Sequence, residues 1–343
     1  MKIKILISYH KRAEIFSDDI LTPIHLGRAL AREKSAQKEQ SLESELSAQN
    51  EQSVGSELSA QNGHAVNENS AKSNDFNWMC ENMIGDDTGD NISIKNPSYN
   101  ELTAIYWAWK NYDKLDNPDY IGFMHYRRHF VFKKSVKPYF ESANVKEGYL
   151  EKLNYSRQSV EDILSSCDFV TNMPYLRTSV YNHYKNAHDI TELDTAIALI
   201  KEFYPDYNEA AEKYIYGDNA YFYNMFIFPK GIFFRYAEWI FDILSKFEER
   251  MGNGVKRMFI SERLSGIFFT KLQLEGLNAA CYPTMFVSEK PTFKSARIQT
   301  KQNLKLANQK KLGFKNKIYA LRPLILFFLP SFVVRAYRNR KSK

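Results

Sequence analysis

NISIKNPSYNELTAIYWAWKNYDKLDNPDYIGFMHYRRHF, residues 91–130, decides the reading of this chain. It has the form cap, helix, turn, strand and polar cluster. Asn96 stands where an N-cap belongs, and Pro97 suits the first helical position. Leu102, Ile105 and Trp109 recur at helical spacing and mark one apolar face. Asp116, Asn117 and Pro118 make a turn, and Tyr120–Met124 is short, apolar and strand-like. His125, Tyr126, Arg127 and Arg128 follow. Open α/β sheets bind ligands beyond the carboxyl ends of their strands. The forked guanidinium of Arg matches phosphate oxygens, so an anionic ligand is expected here. If the strand continues, alternation puts Arg127 on the face of His125 and Arg128 on the other. A buried pair with a carboxylate such as Glu101 is the plain alternative for either arginine.

The 343 residues suffice for one large domain or two ordinary ones. Aromatic residues make up 15% of them, which predicts a large core and clefts lined by rings. Cys80, Cys167 and Cys281 have no metal-ligand spacing, and an unpaired, odd count reads as a reduced, cytosolic compartment. The apolar run in MKIKILISYHK is too short for a signal peptide and reads as a first strand. Charge is unevenly placed. Residues 289–343 carry 15 Lys or Arg and one acid, so the tail holds +14 of a chain whose net charge is +7, and the rest stands at −7.

In chain order, KIKILISY (2–9) is a buried strand that ends at Tyr9, His10 and Lys11. That end is either a nucleotide-binding edge or an ordinary strand–loop junction. Leu21–Leu30 reads as a loop entering a short helix, with His25 structural. A period-12 repeat follows: SAQKEQSLESEL (35–46), SAQNEQSVGSEL (47–58) and SAQNGHAVNENS (59–70). With two aliphatics per unit it cannot bury a face, and residues 35–74 are expected to be a disordered or weakly helical insertion. Asp86, Asp87 and Asp90 form an acidic loop that lacks the spacing and closing Glu of an EF-hand; Asx turns explain it equally well. Val131–Asn154 is a polar, Lys-rich connection.

Ser159–Ser166 reads as helix and Cys167–Thr171 as strand. Residues 172–190, with Tyr175, His183, Tyr184 and His188, suit a loop over a polar substrate. His183 and His188 are five apart, which discounts a helical metal pair. Leu193–Tyr204 and Phe233–Arg250 are helical. YFYNMFIF (221–228) reads as a buried strand interrupted by Asn224, whose amide must bond backbone or reach a sugar hydroxyl. Ser261 stands as a cap with Glu262 in the first turn of its helix. Glu262 either complements the helix dipole or serves as a general base.

The tail ends in a run, 318–334, that is almost all apolar and broken by Arg322, Pro323 and Pro330. A spanning helix needs about 20 predominantly apolar residues. Basic flanks on a shorter apolar run suit an interfacial segment on anionic lipid, with docking on the body as the alternative. Nucleic acid is not the expected partner, because binding it does not call for LILFFLPSFVV.

The segments KILISYHK (4–11), PIHLGRAL (23–30), DDTGDNISIKNPSYNELTAIYWAWKN (86–111), YIGFMHYRRHF (120–130), YNMFIF (223–228) and ERLSGIFF (262–269) resemble, in this order, a bacterial family labelled domain of unknown function 4422. That family is associated with capsular and exopolysaccharide biosynthesis. The resemblance implies an α/β, GT-A-like (Rossmann-like) glycosyltransferase domain over residues 1–290; residues 291–343 lie outside it, and their apolar and basic composition is what reads as a membrane-associating tail. The resemblance also implies a nucleotide-diphospho-sugar donor, a UDP-sugar such as UDP-galactofuranose, and a lipid-linked or growing polysaccharide acceptor at the cytoplasmic face of the membrane. GT-A enzymes usually keep an Asp-x-Asp metal motif where this chain has His125, Tyr126, Arg127 and Arg128. The expectation is therefore that no metal is required and that Arg127 and Arg128, with His125, stabilise the departing diphosphate. Mg²⁺ or Mn²⁺ at Asp86, Asp87 and Asp90 is the fallback.

Glu262 is the first candidate for the base that activates the acceptor, by analogy with the late helix-opening acid of inverting GT-A enzymes. Asp218 is the second. Tyr9, His10, Lys11, Asn91, Asn96, Glu101 and Tyr126 are the expected donor contacts, and Asn224, His183 and Tyr184 the expected acceptor contacts. Tyr106 and Trp107 either stack on a ligand or belong to the core. The competing class is a non-catalytic, membrane-associated glycan-binding protein.

Overall fold

The first strand, β1 (Ile3–Tyr9), sorts its residues between two cores, and the rest of the sheet follows it. Ile5 and Ile7 face one apolar layer while Leu6 faces the other, as alternation along a strand requires. The structure, a computed structural model, describes residues 1–37, 40, 75–142, 145, 147–176, 178–252, 258–287, 297, 300–304 and 321. The chain divides into two units, Met1–Val287 and Ser288–Lys343. The expected insertion, apart from its first residues, and the apolar run of the tail, apart from Leu321, lie outside the described residues. In the second unit, residues 297 and 300–304 are helical.

The elements of the first unit are, in order, β1, β2 (Leu21–His25), α1 (28–37), α2 (75–82), β3 (Ile84–Gly85), a 3-10 turn (Ser93–Lys95), α3 (Asn96–Tyr99), α4 (Leu102–Lys110), β4 (Tyr120–His125), β5 (Arg128–Phe130), β6 (Tyr139–Ser142), α5 (Tyr149–Lys152), α6 (Arg157–Ser165), β7 (Phe169–Asn172), α7 (Val180–Ala187), α8 (Ile190–Phe203), α9 (Asn208–Ile215), β8 (Phe226–Pro229), α10 (Lys230–Met251), α11 (Ser261–Leu274), β9 (Ala279–Tyr282) and β10 (Thr284–Val287).

The described strands form one mixed sheet. Its main run is β3-β2-β1-β4-β8-β7-β9. β1, β2, β3 and β4 are mutually parallel, β8 is antiparallel to β4 and to β7, and β9 is parallel to β7. The carboxyl ends of β1, β4, β7 and β9 therefore share one edge. From that edge β5, β10 and β6 continue as a second arm. Helices cover both faces. Phe123, Phe169, Phe226 and Phe228 pack under α4, α8, α10 and α11, while Met124, Val170, Met225 and Ile227 pack under α2 and α6. This is the expected α/β class, a central mixed sheet flanked by helices.

Several expectations change. Leu21–His25 is a strand and not a loop, paired along its whole length with β1. Pro23 is tolerated because β3 covers β2 only at Ile24 and His25, so the missing N–H falls where that side of the strand is open. Asn96 does not cap. It is the first residue of α3, and its amide donates forward to the Asn100 carbonyl (2.8 Å). Nor does Ser261 cap α11; it is that helix's first residue, and its hydroxyl accepts from Asn224. Residues 172–190 contain a helix, α7, capped by Ser179. The polar connection 131–154 contains β6 and α5. Trp107 is core, with its indole N–H donated to the Thr88 carbonyl (2.9 Å).

Asp86 is fully buried and ties four segments together. One carboxylate oxygen accepts from the Gly27 N–H (2.8 Å) and the Thr103 hydroxyl (2.6 Å); the other accepts from the Arg28 N–H (3.0 Å) and the Ser93 hydroxyl (2.6 Å). The charge sits at the N-terminus of α1, where the helix dipole favours it. Gly27 has φ +63 and stands 2.8 Å from Asn96 at the position a Cβ would take, so only glycine fits this turn. Asp86→Ala leaves the Gly27 and Arg28 N–H groups and the Ser93 hydroxyl without an acceptor, while the Thr103 hydroxyl can still turn to the Asn100 carbonyl (3.1 Å). We expect the substitution to lower unfolding free energy by about 2–4 kcal/mol in urea titrations; a loss under about 1 kcal/mol contradicts the role assigned to Asp86.

Candidate functional site

His125, the last residue of β4, is registered against Arg128, the first residue of β5. Tyr126 and Arg127 are thus the two-residue loop of a hairpin, and the strand does not continue through them. Directly opposed residues of an antiparallel pair share a face. Arg128, and not Arg127, therefore lies on the face of His125, which corrects the alternation expected from the sequence. The Tyr126 N–H still bonds the Ser8 carbonyl (3.1 Å), so the hairpin turns back at the end of β1.

This is the point where strand order reverses, since β2 and β3 lie on one side of β1 and β4 on the other. Ligands of α/β sheets bind in that crevice. Tyr126 is buried there as a plate beneath cations. The Arg127 guanidinium lies 5.0 Å and the Lys11 ammonium 5.9 Å from its ring centre, with His10 edge-on at 5.2 Å. Tyr9 packs on the same ring from inside (5.6 Å), and its hydroxyl donates to the Glu14 carbonyl. His10 and Lys11 are exposed, and Arg127 and Arg128 half-buried.

A second plate is Tyr223, 4.6 Å beneath the Arg128 guanidinium. It belongs to a turn that replaces the first half of the expected strand 221–228. Tyr223 and Asn224 have φ of +74 and +47, a left-handed backbone that cannot stay in a sheet. The Tyr223 N–H donates to Glu262 Oε1 (2.8 Å), and its carbonyl accepts from His125 Nε2 (2.6 Å). Its hydroxyl bonds that of Tyr175 (2.9 Å). The Asn224 amide is spent inside the protein. It donates to Glu101 Oε1 (2.8 Å) and Ser261 Oγ (3.0 Å) and accepts from Ser265 Oγ (2.8 Å).

A carbonyl only accepts, so His125 carries its proton on Nε2 and leaves a lone pair on Nδ1. Burial, with the charge of Arg128 next, pushes His125 down to about 4, against the opposing pull of the Tyr223 carbonyl and Glu262. It is a neutral imidazole near pH 7. Burial raises the Glu101 carboxyl above its ordinary value; its own backbone N–H, the Asn224 amide and Arg128 draw it part of the way back.

Glu262 opens α11 beside Arg263, which sequence reasoning missed. Arg263 is 2% exposed, bonds Glu262 Oε2 (2.7 Å), and lies between the rings of Tyr184 (5.3 Å) and Phe222 (5.2 Å). Its guanidinium also donates to His183 Nδ1 (3.2 Å). His183 is thus tied to Glu262 through Arg263, and burial and then that arginine's charge lower its pKa. Tyr184 is fully buried with its hydroxyl on Glu192 (2.5 Å). Asp218 is exposed beyond α9, and among the described residues no hydrogen bond or ion pair ties it to the hairpin. Asn91 braces the acidic loop, bonding the Gly89 carbonyl and the Ser93 N–H.

The acidic loop does not fit a divalent cation. Asp86 spends both oxygens on four protein donors. Asp87 is 1% exposed at its side chain and paired with Arg32 (2.7 Å), with Arg28 at 3.8 Å; Asp90 accepts from the Tyr106 hydroxyl (3.1 Å). The three carboxylates face different partners, and among the described residues no group of three or more His, Cys, Asp or Glu could hold a metal ion. What the edge offers an anion is fixed positive charge. A concavity of about 360 Å³ lined by Lys134, Cys167, Asn278 and Cys281 shares none of the site residues.

A family model described as a domain of unknown function (DUF4422) matches residues 62–273. The apo structure of WbbM, a bifunctional glycosyltransferase, is similar to this chain with a TM-score of 0.62 and 29% identity, covering 84% of this chain and 46% of that one. The chain thus spans about half the length of that protein. No curated protein matches.

Unfolded, His125 titrates near 6.5; folded, near 4. The unfolded chain takes up the proton first, so His125 costs stability as pH falls through that window and nothing above it. His25 (about 4) and His129 (about 3), both buried, act in the same sense. We expect His125→Gln to lose less stability than wild type between pH 7 and pH 5 in urea unfolding. Equal losses contradict the buried neutral imidazole.

Proposed function

The chain belongs to the DUF4422 family, and we propose that it is a GT-A-like glycosyltransferase domain that transfers a sugar from a nucleoside-diphosphate donor to a glycan acceptor. The observation that carries this reading is the His125–Arg128 hairpin. It sets two guanidinium groups over aromatic plates at the carboxyl edge of the parallel strands. The similarity to WbbM, a glycosyltransferase, supports it. The donor is a UDP-sugar, UDP-galactofuranose among those to test. The acceptor is a lipid-linked or growing surface polysaccharide at the inner face of the cell membrane, met there by the basic tail. Among the described residues no helix is long and apolar enough to cross a membrane.

In this reading Arg127, Arg128 and Lys11 hold the diphosphate, and Tyr126 closes the crevice behind it. An acceptor hydroxyl oxygen bonds the anomeric carbon as the bond to the diphosphate oxygen breaks. The electron pair leaves on the diphosphate, where the arginines stabilise it in place of a metal. The hydroxyl proton goes to Glu262, whose oxygens each keep a lone pair beyond the bonds to Tyr223 and Arg263. Arg263 holds that carboxylate in one orientation.

Calorimetric titration with UDP tests the donor site. Wild type is expected to bind with and without EDTA alike, and Arg127→Ala and Arg128→Ala each to weaken binding about tenfold or more. Binding abolished by EDTA, or untouched in both variants, contradicts the arginine site. Glu262→Gln is expected to cut sugar transfer by roughly 10²–10⁴-fold while UDP still binds. Unchanged transfer removes Glu262 as the base.

A further inference from the structure

Tyr223 is a bulky residue where glycine would be cheaper. At φ +74 a side chain other than glycine is held against local preference. Such a conformation persists when its surroundings over-determine it, and it concentrates at functional sites. Here the surroundings are the site. The peptide of Tyr223 bonds Glu262 on one side and His125 on the other, and its ring centre lies 4.6 Å from the Arg128 guanidinium. Its hydroxyl meets Tyr175, and Phe286 closes on the ring edge at 5.5 Å. A glycine would keep both main-chain bonds, so the ring has a separate use. Among the described residues Arg128 has no carboxylate within ion-pairing distance; Glu101, the nearby acid, is held by Asn224. What fixes the guanidinium is the ring.

We propose that Tyr223 is the positioning residue of the site: its left-handed peptide orients His125 and Glu262 together, and its ring sets the plane in which Arg128 meets an anionic ligand. This rests on the nucleotide-sugar reading for the ligand, but the positioning role stands on the protein alone. An arginine paired with a carboxylate has its charge answered before a ligand arrives. An arginine held by a π face keeps its edge donors for two phosphate oxygens.

The test uses the full chain and the Tyr223→Phe, Tyr223→Leu and Tyr223→Gly variants. NMR reads the Arg128 side-chain N–H and the His125 ring nitrogens, and calorimetry reads UDP affinity. In wild type the ring current is expected to shift the Arg128 N–H upfield. That shift is expected to persist in Tyr223→Phe and to vanish in Tyr223→Leu and Tyr223→Gly. His125 should stay protonated on Nε2 in all of them, so the turn is intact. UDP affinity should fall about tenfold in the Leu and Gly variants and recover in Phe. An Arg128 resonance indifferent to the ring overturns the proposal. Loss of the His125 Nε2 proton in Tyr223→Leu together with the affinity overturns the role given to the ring, since the effect is then that of a collapsed turn. A wild type that does not bind UDP contradicts the nucleotide reading, and the two resonances still decide the positioning role.

Discussion

Two consecutive residues in the left-handed region, Tyr223 and Asn224, hold this site together. The turn they make lets one dipeptide bond three elements at once: α4 through Glu101, the hairpin through His125, and α11 through Ser261 and Glu262. A buried carboxylate and a buried amide each need partners, and Glu101 and Asn224 satisfy one another in part. The cost of the backbone is offset by that closed set of bonds. Removing Glu101 or Ser261 takes one acceptor from the buried Asn224 amide.

The sheet supplies the other constraint. β1, β4, β7 and β9 run the same way, so their carboxyl ends meet at one edge. β4 ends in a two-residue hairpin at the point where strand order reverses. Reversing there places Arg128 above the Tyr223 turn and Arg127 above Tyr126, on two plates and not one. The positive charge is thereby fixed by rings and backbone. Asp86, Asp87 and Asp90, the acids that might have served a metal, are instead committed to α1, to Arg28 and Arg32, and to Tyr106.

Much of this was legible in the sequence because it follows from short-range pattern. The apolar runs of β1 and β4, the amphipathic α4 and the long α10 lie where periodicity placed them. The hairpin was legible in composition but not in direction. Nothing in His-Tyr-Arg-Arg announces a reversal, since the turn has no Gly or Asn; its Tyr126 N–H bonds the Ser8 carbonyl at the end of β1. The strand expected over 221–228 was shortened by a left-handed turn at Tyr223, a residue that propensity never assigns there. Arg263 was passed over because an arginine beside a helix-opening acid reads as surface. Its burial depends on Tyr184 and Phe222, which come from distant segments. Asp86 read as one of three acids of a cation loop because two of its four donors, the Gly27 and Arg28 N–H groups, lie 59 and 58 residues away.

The central claim is that the hairpin, and not the acidic loop, receives the diphosphate. A crystal structure of the chain with UDP bound tests it directly. The account predicts both phosphates within hydrogen-bond distance of Arg127 and Arg128, with His125 still donating from Nε2 to the Tyr223 carbonyl. A diphosphate seated on a metal ion at Asp87 and Asp90, with the hairpin arginines out of reach, would contradict it.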